Sequence, residues 1–172
     1  MDSSSDGARV DGRALAQKAL ERYGDNILRL AYSYVHNMDD AQDVLQETLL
    51  QVMRSCPVFA SDEHERGWLF RVAISKAQDR LRSQHRHAAD ELDENIAAAG
   101  RPDLDFVWQA VRQLPAKYAG VIHLFYQEGY STAEIGRIMR IRESTVRSLL
   151  HRGRLMLKDV LKEAYDFGNG QE

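Results

Sequence analysis

Apolar residues recur along this chain at three- and four-residue spacings, and no stretch of useful length alternates with the two-residue period of a strand. The pattern predicts an all-α fold of two small helical domains joined by a flexible linker, the second containing a helix-turn-helix. Leu15, Ala19 and Tyr23 lead into Ile27, Leu30, Ala31 and Tyr34, a first helical stretch that breaks at Asn37, Met38 and Asp39. A second helix sets Ala41, Val44, Leu45, Thr48, Leu49 and Val52 on one face and Asp43, Gln46, Glu47, Leu50 and Arg54 on the other. A third runs from about Arg66 to Ser83. It gathers Phe70, Ala73, Ile74, Ala77 and Leu81 on one side, with Trp68, Arg71, Ser75, Gln78, Asp79 and Arg82 on the other.

Periodicity is lost across residues 83–106, where Asp90, Glu91, Asp93 and Glu94 are followed by an alanine run and by Gly100, Arg101 and Pro102. Residues 87–103 therefore read as a linker between an N-terminal unit, 1–86, and a C-terminal unit, 104–172. In the second unit Ser131 followed by Glu134 forms a capping box, and Ile135, Ile138 and Met139 give the short helix after it a buried side. A turn through Arg140 to Arg142 leads to a further helix with Val146, Leu149, Leu150, Gly153, Leu157 and Val160 on one stripe. Two helices joined this way make a helix-turn-helix, a shape that fits the DNA major groove.

Charge sharpens that reading. The chain carries a net −3, yet Arg137, Arg140, Arg142, Arg147, Arg152, Arg154 and Lys158 face only Glu134 and Glu143 between Ser131 and Lys158. A basic helix in a mildly acidic protein is a local feature, as phosphate attraction requires. Its outer face holds Ser144, Arg147, Ser148, His151, Arg154 and Lys158. The alternative is a solvated charged helix of a bundle. The third helix is basic as well, because Arg66, Arg71, Lys76, Arg80, Arg82 and Arg86 are opposed only by Asp79. A tryptophan among arginines suits single-stranded nucleic acid, where the ring stacks on an unpaired base and guanidinium groups hold the backbone; a ring closing the edge of the core is the other reading of Trp68. On the second helix, Leu50 stands amid polar and acidic neighbours, as in a surface that binds another protein's helix, although single exposed leucines are common.

Composition excludes several classes. With 172 residues, 44% hydrophobic, the chain suffices for one medium or two small domains. Its single cysteine, Cys56, cannot form an internal disulfide, no apolar run is long enough to span a membrane, and the polar N-terminus resembles neither a signal peptide nor an anchor. A cytoplasmic protein is expected. His85 and His87 lie near acidic residues, but no metal-ligand spacing and no nucleophile motif accompanies them, so neither an enzyme nor a metal or other cofactor is expected.

The motif Asp39-Asp40-Ala41-Gln42-Asp43-Val44-Leu45-Gln46-Glu47-Thr48 is followed by Gly67-Trp68-Leu69-Phe70-Arg71-Val72-Ala73, with Asp79 and Arg82. Leu114-Pro115, Tyr130-Ser131, Glu134-Ile135, Thr145-Val146 and His151-Arg152-Gly153-Arg154 come after them. In that order and at those separations, from about Tyr23 to Leu161, they resemble a short sigma factor of bacterial RNA polymerase, of the extracytoplasmic-function group. The resemblance implies a subunit that binds core polymerase, directs it to promoter DNA and helps open the duplex. It implies that Asp43, Gln46, Glu47 and Leu50 contact the polymerase. It further implies that Trp68, Arg71, Ser75, Gln78 and Arg82 read the melted minus-10 element, and that Arg142, Ser144, Thr145, Arg147, Ser148, His151 and Arg152 read the minus-35 duplex. An anti-sigma factor, in many relatives membrane-bound, is the further implied partner, and the protein is expected to be a monomer when free of core. Three positions depart from the family pattern: Ser75 replaces a frequent asparagine, Ile74 before it a frequent basic residue, and Arg140 the usual glycine of the turn. A dimeric helix-turn-helix repressor acting without polymerase is the alternative, and mass in solution separates the two.

Overall fold

The computed structural model describes residues 11–87 and 105–168, and residues 1–10 and 88–104, which include the polar N-terminus and nearly all of the expected linker, lie outside them. All the described regular structure is helical: α1 (Gly12–Val35), α2 (Met38–Ser55), α3 (Asp62–His87), α4 (Asp105–Arg112), α5 (Ala116–Ile122), a π turn (His123–Gln127), α6 (Thr132–Met139) and α7 (Glu143–Gly168). The helices α1, α2 and α3 pack on one another, while α4, α5 and α6 pack around α7.

Local chemistry starts and stops these helices. The Asp11 carboxylate accepts from the Arg13 amide at the start of α1, and Asn37 caps α2 by accepting from the Asp40 amide. Asp39 and Asp40 then place negative charge in the first turn, where the helix dipole favours it. At α6 the predicted capping box is complete: Ser131 Oγ accepts from the Glu134 amide, and Glu134 Oε2 accepts from the Ser131 amide at 2.8 Å. The Ser131 amide, together with the Ser131 hydroxyl, which also donates to Glu134 Oε2 at 2.8 Å, holds the Glu134 carboxyl below its usual range.

Two predicted boundaries are corrected. The third helix begins at Asp62 rather than near Arg66, since Ser61 Oγ accepts from the His64 amide and Asp62, Glu63 and Glu65 complement the dipole. It continues through His87, so residues 83–87 belong to a helix and not to the aperiodic stretch, and Asp105 and Phe106 already belong to α4. Polar contacts with α2 continue into the extension: beyond the Arg80–Asp40 ion pair, the Gln84 amide donates to the same Asp40 carboxylate where apolar periodicity has ended.

The two units share one contiguous core. Ile27, Leu30 and Tyr34 of α1, with Leu69 and Phe70 of α3, join Ile122, Leu124 and Ile135 from the C-terminal half. Contact runs from α1 to α4, α5 and the π turn, and from α3 to α6. At its centre the buried Tyr34 ring lies on Gly120, where a methyl group would overlap the phenol, so only glycine permits this approach. Also between the units, the Glu128 carboxylate, 1% exposed, accepts from Asn26 Nδ2 at 3.0 Å and Arg66 Nη2 at 2.7 Å and lies 3.1 Å from His123 Nε2.

Burial pushes the Glu128 carboxyl up, but hydrogen bonds with His123, Arg66 and Asn26 together outweigh it and leave the group below its ordinary value of 4.5. A depressed carboxyl contributes stability that is fully present above the ordinary glutamate range and is lost as the pH falls through the folded-state value. Glu128→Gln should therefore lower the melting temperature near neutrality and weaken its acid dependence below about pH 4.5; parallel acid profiles for the two proteins would contradict this linkage. A second prediction concerns Arg140, which ends α6 in the left-handed region at φ 57°, ψ 43°. That conformation costs a side-chain-bearing residue about 1 kcal/mol relative to glycine, so Arg140→Gly is expected to raise thermal stability by about that amount, measured by calorimetry.

Candidate functional site

Three surfaces correspond to the three sets of expected residues. On α2, Gln46 and Leu50 are exposed, with Leu50 39% accessible, while Val44, Thr48 and Val52 are buried on the opposite stripe. The helical register is the predicted one. Asp43 and Glu47 are less free than expected, since Arg80 of α3 pairs with Asp40 at 2.7 Å, with Asp43, and with Glu47 at 3.3 Å. Its guanidinium is planar, with five donors, and can serve three carboxylates together. The acidic side of α2 is thus partly neutralised from within, and Gln46 and Leu50 are the members of this set left without such a tie.

The α3 face is assembled by helical spacing, as predicted. Trp68 is half-buried and tilted against Phe59, with ring centroids 5.6 Å apart; Ser75, Gln78 and Arg82 are exposed, the last paired with Asp79. The side chains of Trp68, Arg71, Ser75 and Gln78 line one cleft of about 300 Å³, together with Ile138, Met139 and Arg140. Arg71 Nη2 donates to the Arg137 carbonyl at 3.3 Å, while its Nε is buried without a partner. The sequence had given no sign that residues of the helix-turn-helix close this cleft.

The helix-turn-helix follows its prediction in outline, although Met139, Leu149, Leu157 and Val160 of the expected buried sets are only half-buried. Ile135 and Ile138 of α6 and Val146, Leu150 and Gly153 of α7 are buried, and Arg142, Ser144, Thr145, Arg147, Ser148, His151 and Arg152 are all exposed. The turn is tight because Gly136 lets the chain pass closely: an added Cβ would stand 2.9 Å from the Ile141 carbonyl. Thr132 Oγ1 and Arg147 Nη2 both donate to Glu143 Oε1 at 2.7 Å, which joins the starts of α6 and α7 and lowers the Glu143 carboxyl. Farther along α7, Arg154 Nε donates to Tyr126 Oη at 2.8 Å and its guanidinium lies over the Phe125 and Tyr126 rings, which fixes a cation beside the π turn. His85 is exposed at the end of α3, and among the described residues no group of three His, Cys, Asp or Glu side chains could hold a metal. Also among the described residues, no helix is long and apolar enough to cross a membrane.

Sequence reasoning missed Asn26, Arg66, Gly120 and Glu128. Each looks ordinary in its own segment, and only the approach of the two units gives it a partner. The π turn that carries His123 and Glu128 together has no composition signal.

Residues 19–87 match sigma-70 region 2, and residues 107–157 match sigma-70 region 4. The chain is 31% identical over 154 residues to the ECF RNA polymerase sigma factor SigE of Mycolicibacterium smegmatis, covering 83% of this chain and 60% of that protein. It is 34% identical over 171 residues to SigL of Mycobacterium tuberculosis, covering 91% and 97%. Among solved structures, the sigma factor RpoE in complex with the anti-sigma factor NepR from Bartonella quintana superposes with a TM-score of 0.72 at 23% identity, over 85% of this chain and 96% of that one.

The exposure of Leu50 carries a prediction of its own. Leu50→Asp should cost less than about 0.5 kcal/mol in a thermal melt, as for surface substitutions, whereas truncating the buried Val52 should cost markedly more. Equal losses would place Leu50 in the core.

Proposed function

Because the chain belongs to the extracytoplasmic-function group of the sigma-70 family, non-enzymatic sigma factors of transcription initiation, we propose that its three surfaces divide the work of promoter use. Gln46 and Leu50, flanked by Asp43 and Glu47, dock on core RNA polymerase: an exposed leucine at the centre supplies apolar burial, and the charged rim sets orientation. Arg142, Ser144, Thr145, Arg147, Ser148, His151 and Arg152 read the minus-35 element as duplex through the major groove. The observation that carries this reading is the one-sided exposure of all seven, over a buried stripe of Val146, Leu150 and Gly153. The matches to sigma-70 regions 2 and 4 favour this reading over the dimeric repressor that the sequence left open.

Trp68, Arg71, Ser75, Gln78 and Arg82 capture the melted minus-10 strand. A base that leaves the duplex gains a stacking surface and hydrogen-bonding partners it lacked when paired, so preferential binding of the open strand shifts the opening equilibrium with no covalent step. The protein works where the polymerase and DNA are, in the cytoplasm. An anti-sigma factor is the expected regulatory partner, since the structurally similar RpoE is held by NepR.

Run-off transcription with purified core polymerase on a pooled promoter library tests this reading; no specific transcript would refute it. Leu50→Asp should raise the dissociation constant for core by about tenfold or more. With core bound, Trp68→Ala should slow strand opening by roughly tenfold or more, and a premelted promoter bubble should restore most of the loss. No rescue by the bubble, with the fold intact, would remove the stacking role from Trp68.

A further inference from the structure

The cleft between α3 and α6 has the dimensions of a small-molecule site as well as a lining that neither helix supplies alone. One wall, from α3, carries Trp68, Arg71 and Gln78, and the other, from α6 and its cap, carries Met139 and Arg140. At about 300 Å³ it stands at the lower end of the range in which proteins hold small ligands. Its walls are fixed from behind, because Leu69 and Phe70 of α3 and Ile135 and Ile138 of α6 belong to one apolar core. The cleft is therefore formed before any ligand arrives.

The chemistry of the lining selects the ligand. Among the described residues, two guanidinium groups and no carboxylate line the cleft, so it favours an anion. Arg71 is tied to α6 by a single 3.3 Å hydrogen bond to the Arg137 carbonyl, and its Nε has no partner, so the group holds more donors than the protein uses. Arg140 stands exposed at the rim, kept there at φ 57°, ψ 43°, where glycine would be relaxed. Trp68, half-buried and braced by Phe59 at 5.6 Å, adds an aromatic surface. A bare inorganic anion would leave the Trp68 and Met139 surfaces unused, and an uncharged ring would leave the two cations unused. A planar base that carries a phosphate satisfies both.

We propose that the cleft between α3 and α6 is a binding site for a free mononucleotide, with the base stacked on Trp68 and the phosphate held by Arg71 and Arg140. The ligand touches walls from both helical units, so it binds the folded chain and not the unfolded one, and it stabilises the fold by mass action. The site belongs to the free chain, whatever nucleic acid α3 meets during initiation.

The full-length protein is titrated at one ionic strength with adenosine monophosphate, adenosine, inorganic phosphate and a single-stranded deoxyoligonucleotide, by calorimetry and by thermal melt. Adenosine monophosphate is expected to bind once per chain, about tenfold or more tighter than adenosine or phosphate, and to raise the melting temperature as its concentration rises. Arg140→Gly separates the site from the fold. Relief of the left-handed backbone raises the melting temperature of the unliganded protein, while loss of the cation weakens adenosine monophosphate about tenfold. Trp68→Ala should weaken adenosine monophosphate and adenosine alike and leave phosphate unchanged, and the oligonucleotide should bind wild type and Arg140→Gly equally. Absence of saturable binding overturns the proposal, as does phosphate binding as tight as that of adenosine monophosphate, or unchanged affinity for adenosine monophosphate in Arg140→Gly. An oligonucleotide that loses as much affinity in Arg140→Gly as adenosine monophosphate does overturns it too, since the cleft would then hold a nucleotide of a strand.

Discussion

A carboxylate removed from water stays charged only if donors surround it, and Glu128 finds its donors on three separate segments: Asn26 on α1, Arg66 on α3 and His123 on its own π turn. The two families of contact in this molecule, those within each helical unit and those between them, meet at this side chain. Its position fixes how the π turn approaches α1, which in turn sets how Tyr34 meets Gly120 and where α6 comes to rest along α3. Removing Glu128 would leave the Arg66 guanidinium part-buried beside the Phe70 and Tyr130 rings without the carboxylate that now pairs with it at 2.7 Å.

Charge is divided with similar economy on the other side of the first unit. Arg80 draws Asp40, Asp43 and Glu47 toward α3, so part of the acidity of α2 goes into holding two helices together rather than into facing a partner. Among the described residues the basic helix α7 has no comparable internal consumer: Glu143 engages Arg147 near its start, and the other cations lie open or against aromatic rings. The acidic face therefore offers an apolar centre with a partly neutralised rim, and the basic face offers nearly its full charge.

What the sequence disclosed follows from this difference between local and long-range causes. The buried stripes of α1, α2, α3 and α7, the capping box at Ser131 and the outward set from Arg142 to Arg152 all follow from periodicity and neighbouring residues. The exposure of Leu50 was readable for the same reason. Helix ends were harder, because α1, α2 and α6 close on His36, Cys56 and Arg140 in the left-handed region rather than on the glycine that signals such a cap. The Ser61 start of α3 was present in the sequence, as a serine before three acidic residues in the first turn, but apolar periodicity set in later and drew the boundary with it. Asn26, Gly120 and Glu128 could not be read at all, since their roles exist only between segments about a hundred residues apart.

The π turn after α5 gives this architecture an unusual sensitivity to chain length. Between His123 and Gln127 the backbone accommodates a wider turn, with the Glu128 amide donating to the His123 carbonyl five residues back. An α-helix advances by about 100° per residue, so losing a single residue here would rotate everything beyond it relative to α5 by more than a quarter turn. Glu128 would swing off the α1–α3 surface while the helix-turn-helix beyond it could remain internally intact. The segment acts as a phase setting between the two bodies: side-chain changes there adjust the strength of their contact, whereas a one-residue insertion or deletion would give the same two bodies a different mutual orientation.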